Sequence, residues 1–313
     1  MENRVVEAIQ KRRSVRSFEE RIPDQNLIDE VMEAGLYAAS GRGTQGTVIV
    51  QIDNKKLGKE IRELNAKIVG FVDKGIICEK NDDRLLVEKT IVDSGVYSTV
   101  LSTPFHCAIC DGVGGESRGD EAAEFVLRQL INEEANNIDS ADKILCVLSQ
   151  INNNLLDYQK REQSNGMKTT IVGLGIYEDK VIIYNAGDSR LYRLRNDNLV
   201  QLSEDHSTAH EMIMMGLITD NIDEELMKCS RITRCLGTKT SAIPYVKQIN
   251  MHALKNDMYL LCSDGLWGAV VNDDITRVLK SENSLEEKVQ LLFEMAENNG
   301  SSDNISIAII EIE

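Results

Sequence analysis

The chain has 313 residues, 35 Lys+Arg against 51 Asp+Glu, a formal net charge of −16, 7 cysteines and 4% aromatic residues. A chain of this length buries roughly 75% of its unfolded surface, enough for one large domain or two modest ones. The acidic balance excludes nucleic acid or an anionic membrane as the main partner, because both repel it. No apolar stretch reaches the roughly 20 residues of a membrane span. Residues 1–13 lack the apolar core of a secretory signal. The odd cysteine count suits reduced thiols, so a cytoplasmic protein is expected.

The charge divides the chain. Residues 1–74 hold 13 basic and 12 acidic residues, a net of +1; 35 less 13 and 51 less 12 leaves 22 basic and 39 acidic beyond them, a net of −17. Two units are expected, residues 1–74 and 75–313, joined near Val72-Asp73-Lys74-Gly75. The first reads as a small, mainly helical segment. Val5, Ala8 and Ile9 have helical spacing, and a helix follows Pro23 over Asp24–Ala39. A glycine-rich loop at Gly41, Gly43 and Gly46 precedes a strand over Thr47–Ile52. Leu57, Ile61, Leu64 and Ile68 suggest one more helix.

In the second unit Asp82-Asp83 precedes the apolar Leu85-Leu86-Val87. The strand-like Phe105–Cys110 ends in Asp111-Gly112-Val113-Gly114-Gly115. Helices are predicted over Asp120–Glu134 and Asp142–Gln159, the latter facing inward through Ile144, Leu148, Ile151 and Leu155. Thr169–Tyr177, Lys180–Ala186, Arg190–Leu194 and Leu199–Leu202 form an antiparallel meander. Met258–Cys262 ends in Ser263-Asp264-Gly265. Ser284 with Glu287 three residues on marks a capping box. Gly300–Asn304, with Asp303, feeds the alternating strand Ile305, Ile307, Ile309. Strands with separate helices indicate an α+β layered domain rather than a doubly wound sheet.

Carboxylates at strand ends beside glycines suit hard cations, because oxygen ligands hold magnesium or manganese and glycine lets a backbone carbonyl approach. One Asp-Gly alone is a common turn; four acidic sites in one unit are a pattern. The stretches KNDDRLLV (80–87), FHCAICDGVGGESRGDEAA (105–123), MKTTIVGLGIY (167–177), NAGDSRLYRL (185–194), LSEDHS (202–207), ITRCLG (232–237), LLCSDGLWGAV (260–270) and SSDNISIAII (301–310) resemble, in order, the metal-dependent protein phosphatases of the PPM or 2C type. The resemblance implies two packed antiparallel β-sheets flanked by helices, an α-β-β-α sandwich. It implies magnesium- or manganese-dependent removal of phosphate from phosphoserine and phosphothreonine of proteins, by in-line attack of a water activated between two ions. On that reading Asp111 bridges both Mg2+ or Mn2+ ions, the Gly112 carbonyl ligates one, and Asp264 and Asp303 complete the coordination of the second ion. Asp83, with Asp82 beside it, holds water, and Asp188 is structural.

Departures from the family accompany the resemblance. Cys78 stands where many members have a phosphate-gripping arginine, and a thiol offers no bidentate fork. Val113 replaces a histidine found in some members. Asn165 stands in place of a third-metal aspartate, and Lys168 in place of a glycine. The missing arginine motivates a second reading, a catalytically weak module that binds phosphoproteins or regulates a partner. Cys107 and Cys110, with His106, read as a buried strand rather than a zinc or redox motif. His206 and His210 read as flap or surface residues.

RRSVRSF (12–18) and YAASGRGTQG (37–46) are similar to the N-terminal part of flavin-dependent nitroreductases, over residues 3–70. The resemblance implies that Arg12, Ser14 and Arg16 match positions holding flavin mononucleotide. The later part of that fold has no counterpart here, so flavin binding is not expected, and a non-catalytic fragment is.

Overall fold

Alternate residues of the inner strands enter two different cores, and this dictates the layering. In Ile305–Ile312, Ala308, Ile310 and Ile312 join one core, while Ile305, Ile307 and Ile309 join another. A strand with both faces buried needs apolar residues at every position, which is why such runs read as continuous rather than alternating.

The computed structural model describes residues 64–113, 118–134, 138–164, 166–217, 231–239, 244–249 and 252–313. All of them belong to the second of two compact units, residues 1–62 and 63–313. The elements expected within residues 1–62, with Arg12, Ser14 and Arg16, lie outside the described residues.

In chain order the strands are β1 (Asn65–Asp73), β2 (Arg84–Val87), β3 (Thr90–Val92), β4 (Gly95–Ser102), β5 (Phe105–Cys110), β6 (Gly112–Val113), β7 (Lys168–Thr169), β8 (Ile171–Ile176), β9 (Val181–Ala186), β10 (Arg190–Arg195), β11 (Asn198–Gln201), β12 (Tyr245–Ile249), β13 (Met258–Cys262) and β14 (Ile305–Ile312). The helices are α1 (Gly119–Glu134), α2 (Ala141–Arg161), α3 (Thr208–Met214), α4 (Asp264–Trp267), α5 (Asn272–Leu279) and α6 (Leu285–Asn298). One sheet runs β11-β10-β13-β14-β1-β4, the other β12-β9-β8-β5-β2-β3, and β6 pairs with β7 alone.

The two large sheets bury a shared core containing Ile68, Leu85, Ile109, Leu174, Leu261 and Ile310. Outside the first sheet, α4, α5 and α6 bury Leu266, Ile275, Val289 and Leu292 against Val69, Leu260 and Ile307. Outside the second, α1 and α2 bury Val126, Leu127, Leu148 and Leu155 against Ala108, Cys110 and Ile182. This is the expected α-β-β-α sandwich. The predicted inner face of α2 is buried as expected, and the Ser284–Glu287 capping box forms at the start of α6. Cys107 and Cys110 are buried on opposite faces of β5.

Two expectations are corrected. The helix expected over Leu57, Ile61, Leu64 and Ile68 lies partly outside the described residues; from Asn65 on the chain is instead the strand β1, paired with β14 on one side and β4 on the other. Its Ile68-Val69-Gly70-Phe71-Val72 run is buried on both faces, so helical and strand spacing coincide there; β-branched residues and pairing partners decide for the strand. Residues 65–73 therefore belong to the sandwich, and the division falls at Arg62/Glu63 rather than near Val72–Gly75.

The meander is likewise not one sheet. β8 and β9 lie in one sheet, β10 and β11 in the other, and the chain crosses between them at Gly187-Asp188-Ser189. Gly187 has φ +125°, and a Cβ there would sit 2.6 Å from Thr170 Cβ. Only glycine makes that crossing without strain.

Candidate metal centre

The sheet crossing and the strand ends bring acidic residues together at one end of the sandwich. Asp111 follows β5, and its backbone is fully used. Its N–H donates to Thr170 Oγ1 at 3.1 Å, while its carbonyl accepts from Thr170 N–H at 2.8 Å and from the Thr169 hydroxyl at 2.9 Å. Gly112, next along, packs so closely on Gly119 that an added Cβ would lie 2.5 Å from the Gly119 carbonyl carbon. That contact sets the start of α1 against the strand end. Asp264 opens α4 directly after β13, and Asp303 precedes β14, accepting the Asn304 N–H at 2.8 Å.

Charge binds these positions into one cluster. Burial raises the Asp111 carboxyl well above the usual range, and the negative charges of Asp83, Asp264, Asp303 and Asp188 push it further. Burial raises Asp264 in the same way, with Asp188, Asp303 and Asp83 adding to it. Asp83, 1% exposed, is raised to about 7 chiefly by burial; the Ser306 and Ser263 hydroxyls oppose the rise, and Asp303 and Asp82 increase it. Several carboxylates that each resist ionising in the others' presence call for a cation.

A cleft of about 270 Å³ opens beside the cluster, lined by Asp188, Asp264, Trp267, Asn299, Ser302 and Asp303 among others. Asp188, expected as a structural residue outside the ligand set, lies in this cleft. Burial and then the nearby Asp205 raise it to about 6. Asp82 differs from its neighbour Asp83: its carboxylate accepts the backbone N–H of Asp120 in the first turn of α1, while its charge still acts on Asp83.

The donor set fits hard divalent ions. Asp83 Oδ2, Asp188 Oδ1 and Asp264 Oδ1 are buried oxygens with no hydrogen-bond partner, an expensive state for a carboxylate unless something positive meets them. Among the described residues, no three His, Cys, Asp or Glu side chains cage an ion by themselves. An open set of carboxylates is the kind magnesium uses, since it keeps several waters.

Cys78 borders the same cluster. Its thiol donates to the Ser302 carbonyl at 3.5 Å. Burial and the charges of Asp303, Asp82, Asp83 and Asp264 push its pKa up, so it stays a neutral thiol. Asn165 lies outside the described residues. Lys168 stands opposite Val113 in the β6–β7 ladder.

His206 is not a flap or surface residue. It is 3% exposed, its Nδ1 accepts the Gly187 N–H at 3.2 Å, and burial lowers it to about 4. It is a neutral latch on the sheet crossing.

Sequence reasoning assigned no role to Asn304, which ties the site together. Its Oδ1 accepts the Asp82 N–H at 2.8 Å, and its Nδ2 donates to the carbonyls of Lys74 at 3.0 Å and Lys80 at 2.9 Å. The available signal was a buried-type amide directly after a candidate ligand and before an apolar strand. Asn304→Ala is expected to cost about 2–4 kcal/mol, from three lost hydrogen bonds and stranded backbone groups. Urea denaturation measures it, and an unchanged midpoint would show that other contacts hold the 74–82 loop.

Comparison with known proteins places this geometry in context. The family model described as Protein phosphatase 2C matches residues 93–307, and that of the Nitroreductase family matches residues 9–80. The serine/threonine phosphatase stp of Listeria welshimeri is 31% identical over 252 residues, covering 76% of this chain and 93% of that one. The S. agalactiae serine/threonine phosphatase structure superposes with a TM-score of 0.68 at 26% identity, over 79% of this chain and all of that one. The catalytic domain of the serine threonine protein phosphatase PstP, in complex with two manganese ions, gives a TM-score of 0.65 at 25% identity, over 80% of this chain and 99% of that one.

Proposed function

Because the chain belongs to the protein phosphatase 2C family, we propose that residues 63–313 remove phosphate from phosphoserine and phosphothreonine of proteins, with magnesium or manganese. The observation that carries this reading is the set of partnerless buried oxygens of Asp83, Asp188 and Asp264 beside Asp111 and Asp303.

Asp111, the Gly112 carbonyl, Asp264 and Asp303 would hold two ions, and Asp83 a water beside them. When bound, such ions acidify water and neutralise charge on phosphoryl oxygens. The chain's own part is positioning. Thr169 and Thr170 hold the Asp111 backbone, and Asn304 fixes the loop leading to Asp83. Cys78, bonded to the Ser302 carbonyl, offers no side-chain fork at its position, so phosphate binding rests more on the ions.

That same Cys78 favours the second reading, a phosphoprotein-binding module with weak turnover. One assay separates them: manganese-dependent release of phosphate from a phosphothreonine peptide by the full chain. Multiple turnovers at saturating manganese are expected; binding of the peptide without turnover would favour the module. Residues 1–62 are proposed as a non-catalytic, nitroreductase-like fragment.

A further inference from the structure

α4 is a helix of one turn, Asp264–Trp267, and its N-cap Ser263 makes no side-chain capping bond. A helix this short does not hold its own position, since nucleation is unfavourable and little propagation follows it. Its orientation must come from what touches it. On one side Gly265 lies against Asn304, where an added Cβ would fall 2.1 Å from the Asn304 carbonyl oxygen. On the other side is Trp267, the only tryptophan of the chain.

Trp267 is met by Arg190, whose guanidinium carbon lies 3.7 Å from the centre of the indole. Arg190 is itself immobilised. Nε and Nη2 fork onto Asp205, at 3.0 Å and 2.6 Å to Oδ2, with Nε also 3.2 Å from Oδ1. Nη1 donates to the Tyr192 hydroxyl at 3.1 Å. Asp205 is held in turn by Gln201 Nε2 at 2.6 Å. With its edge committed to hydrogen bonds, the guanidinium has its flat face left for the indole, a pairing that a lysine ammonium cannot reproduce. Arg190 follows the sheet crossing at Asp188, and it stands opposite Cys262 at the end of β13. It therefore joins the strand end that leads into Asp264 to the far end of the same one-turn helix.

We propose that Arg190 and Trp267 are positioning residues: the Asp205–Arg190–Trp267 stack is a strut that fixes α4 and so presents the Asp264 carboxylate to the ion. This rests on Asp264 being a metal ligand.

The test is manganese binding to the full chain by calorimetry, with folding checked by circular dichroism. Asp264→Asn establishes the ligand. Arg190→Lys and Trp267→Leu are each expected to weaken manganese about tenfold, the scale of losing a group that orients a ligand, and Arg190→Lys to keep kcat at saturating manganese within about threefold of the parent. Trp267→Phe keeps a ring for the guanidinium and is expected to restore affinity to within about twofold. The single tryptophan supplies a second readout. In metal-free Arg190→Lys its emission shifts to the red and acrylamide quenches it more readily, because the indole has lost its cover.

If Asp264→Asn loses manganese while Arg190→Lys and Trp267→Leu bind it like the parent, the strut is wrong and the ligand stands. If Asp264→Asn binds manganese normally, the ligand assignment falls and the strut with it. Should Arg190→Lys fail to fold, Trp267→Leu decides alone, because this half-buried side chain lies at the margin of the core and the variant is expected to fold.

Discussion

Asp111→Asn is expected to lower manganese-dependent hydrolysis of a phosphothreonine peptide by on the order of 10²–10³-fold, the loss that follows removal of one preorganised electrostatic group. The substitution is nearly isosteric, and the Asp111 backbone is held by Thr169 and Thr170 independently of the carboxylate, so the fold is expected to survive. The stability of the variant makes the test specific. Asp111 is raised by burial and by four other carboxylates, so removing its charge relieves repulsion in the metal-free protein. Asp111→Asn should therefore melt at or above the parent's temperature at pH 8 without metal, while gaining less from added manganese. An active variant would show that Asp111 is not a ligand; an inactive variant with a lowered melting temperature and no folded signal would point to structural damage instead.

The second large effect is on stability. Magnesium or manganese at about 100 times its dissociation constant stabilises a protein that binds it only when folded by roughly 2.7 kcal/mol. For a unit of about 250 residues this corresponds to roughly 5–10 °C in melting temperature. The gain depends on pH with a definite sign. Asp83 stands at about 7 in the fold, above the ordinary carboxylate value of about 4 expected when unfolded. The native state therefore keeps that proton longer, and the associated stability is fully present below about pH 4 and lost as pH rises through 7. Asp188, at about 6, acts in the same direction over a slightly lower window. Metal-free protein should melt lower at pH 8 than at pH 6, and the increment from metal should be larger at pH 8, where the carboxylates are ionised. Differential scanning calorimetry in chelator and in manganese reads both. A melting temperature indifferent to saturating metal would leave the cluster without its proposed occupant.

The residues that proved legible in the sequence are those whose role is written locally. The inner face of α2 is set by spacing that survives in any context, and the Ser284–Glu287 box is a reciprocal bond within one turn. Asp111, Asp264 and Asp303 could be selected because each sits at the end of an apolar run or before one. What was not legible depends on tertiary partners. β1 lies between two strands and is buried on both faces, so its hydrophobic spacing carries no single period. The switch of sheet after β9 leaves no mark except one glycine. Asp82 and Asp83 are adjacent and chemically identical, yet one turns to the first turn of α1 and the other into the acidic cluster. Alternation along an extended chain sends neighbours to opposite sides, but only the packed α1 reveals what each side holds. Asn304 was invisible for a related reason: its partners, Lys74, Lys80 and Asp82, are more than 200 residues away.

The pairing of β1 with β14 sets Ala66 opposite Ile312 and Asp73 opposite Ile305. These two adjacent strands come from opposite ends of the unit, and β14 also borders β13. Bringing such distant segments together spends loop-closure entropy before contacts repay it. A polypeptide leaving the ribosome carries Asp83 and Asp111 well before it carries β14, the strand that joins β1 to β13 in the facing sheet. Asp303 is translated only just before that strand. The acidic cluster can therefore be completed only once the last strand has been made and the sandwich closes.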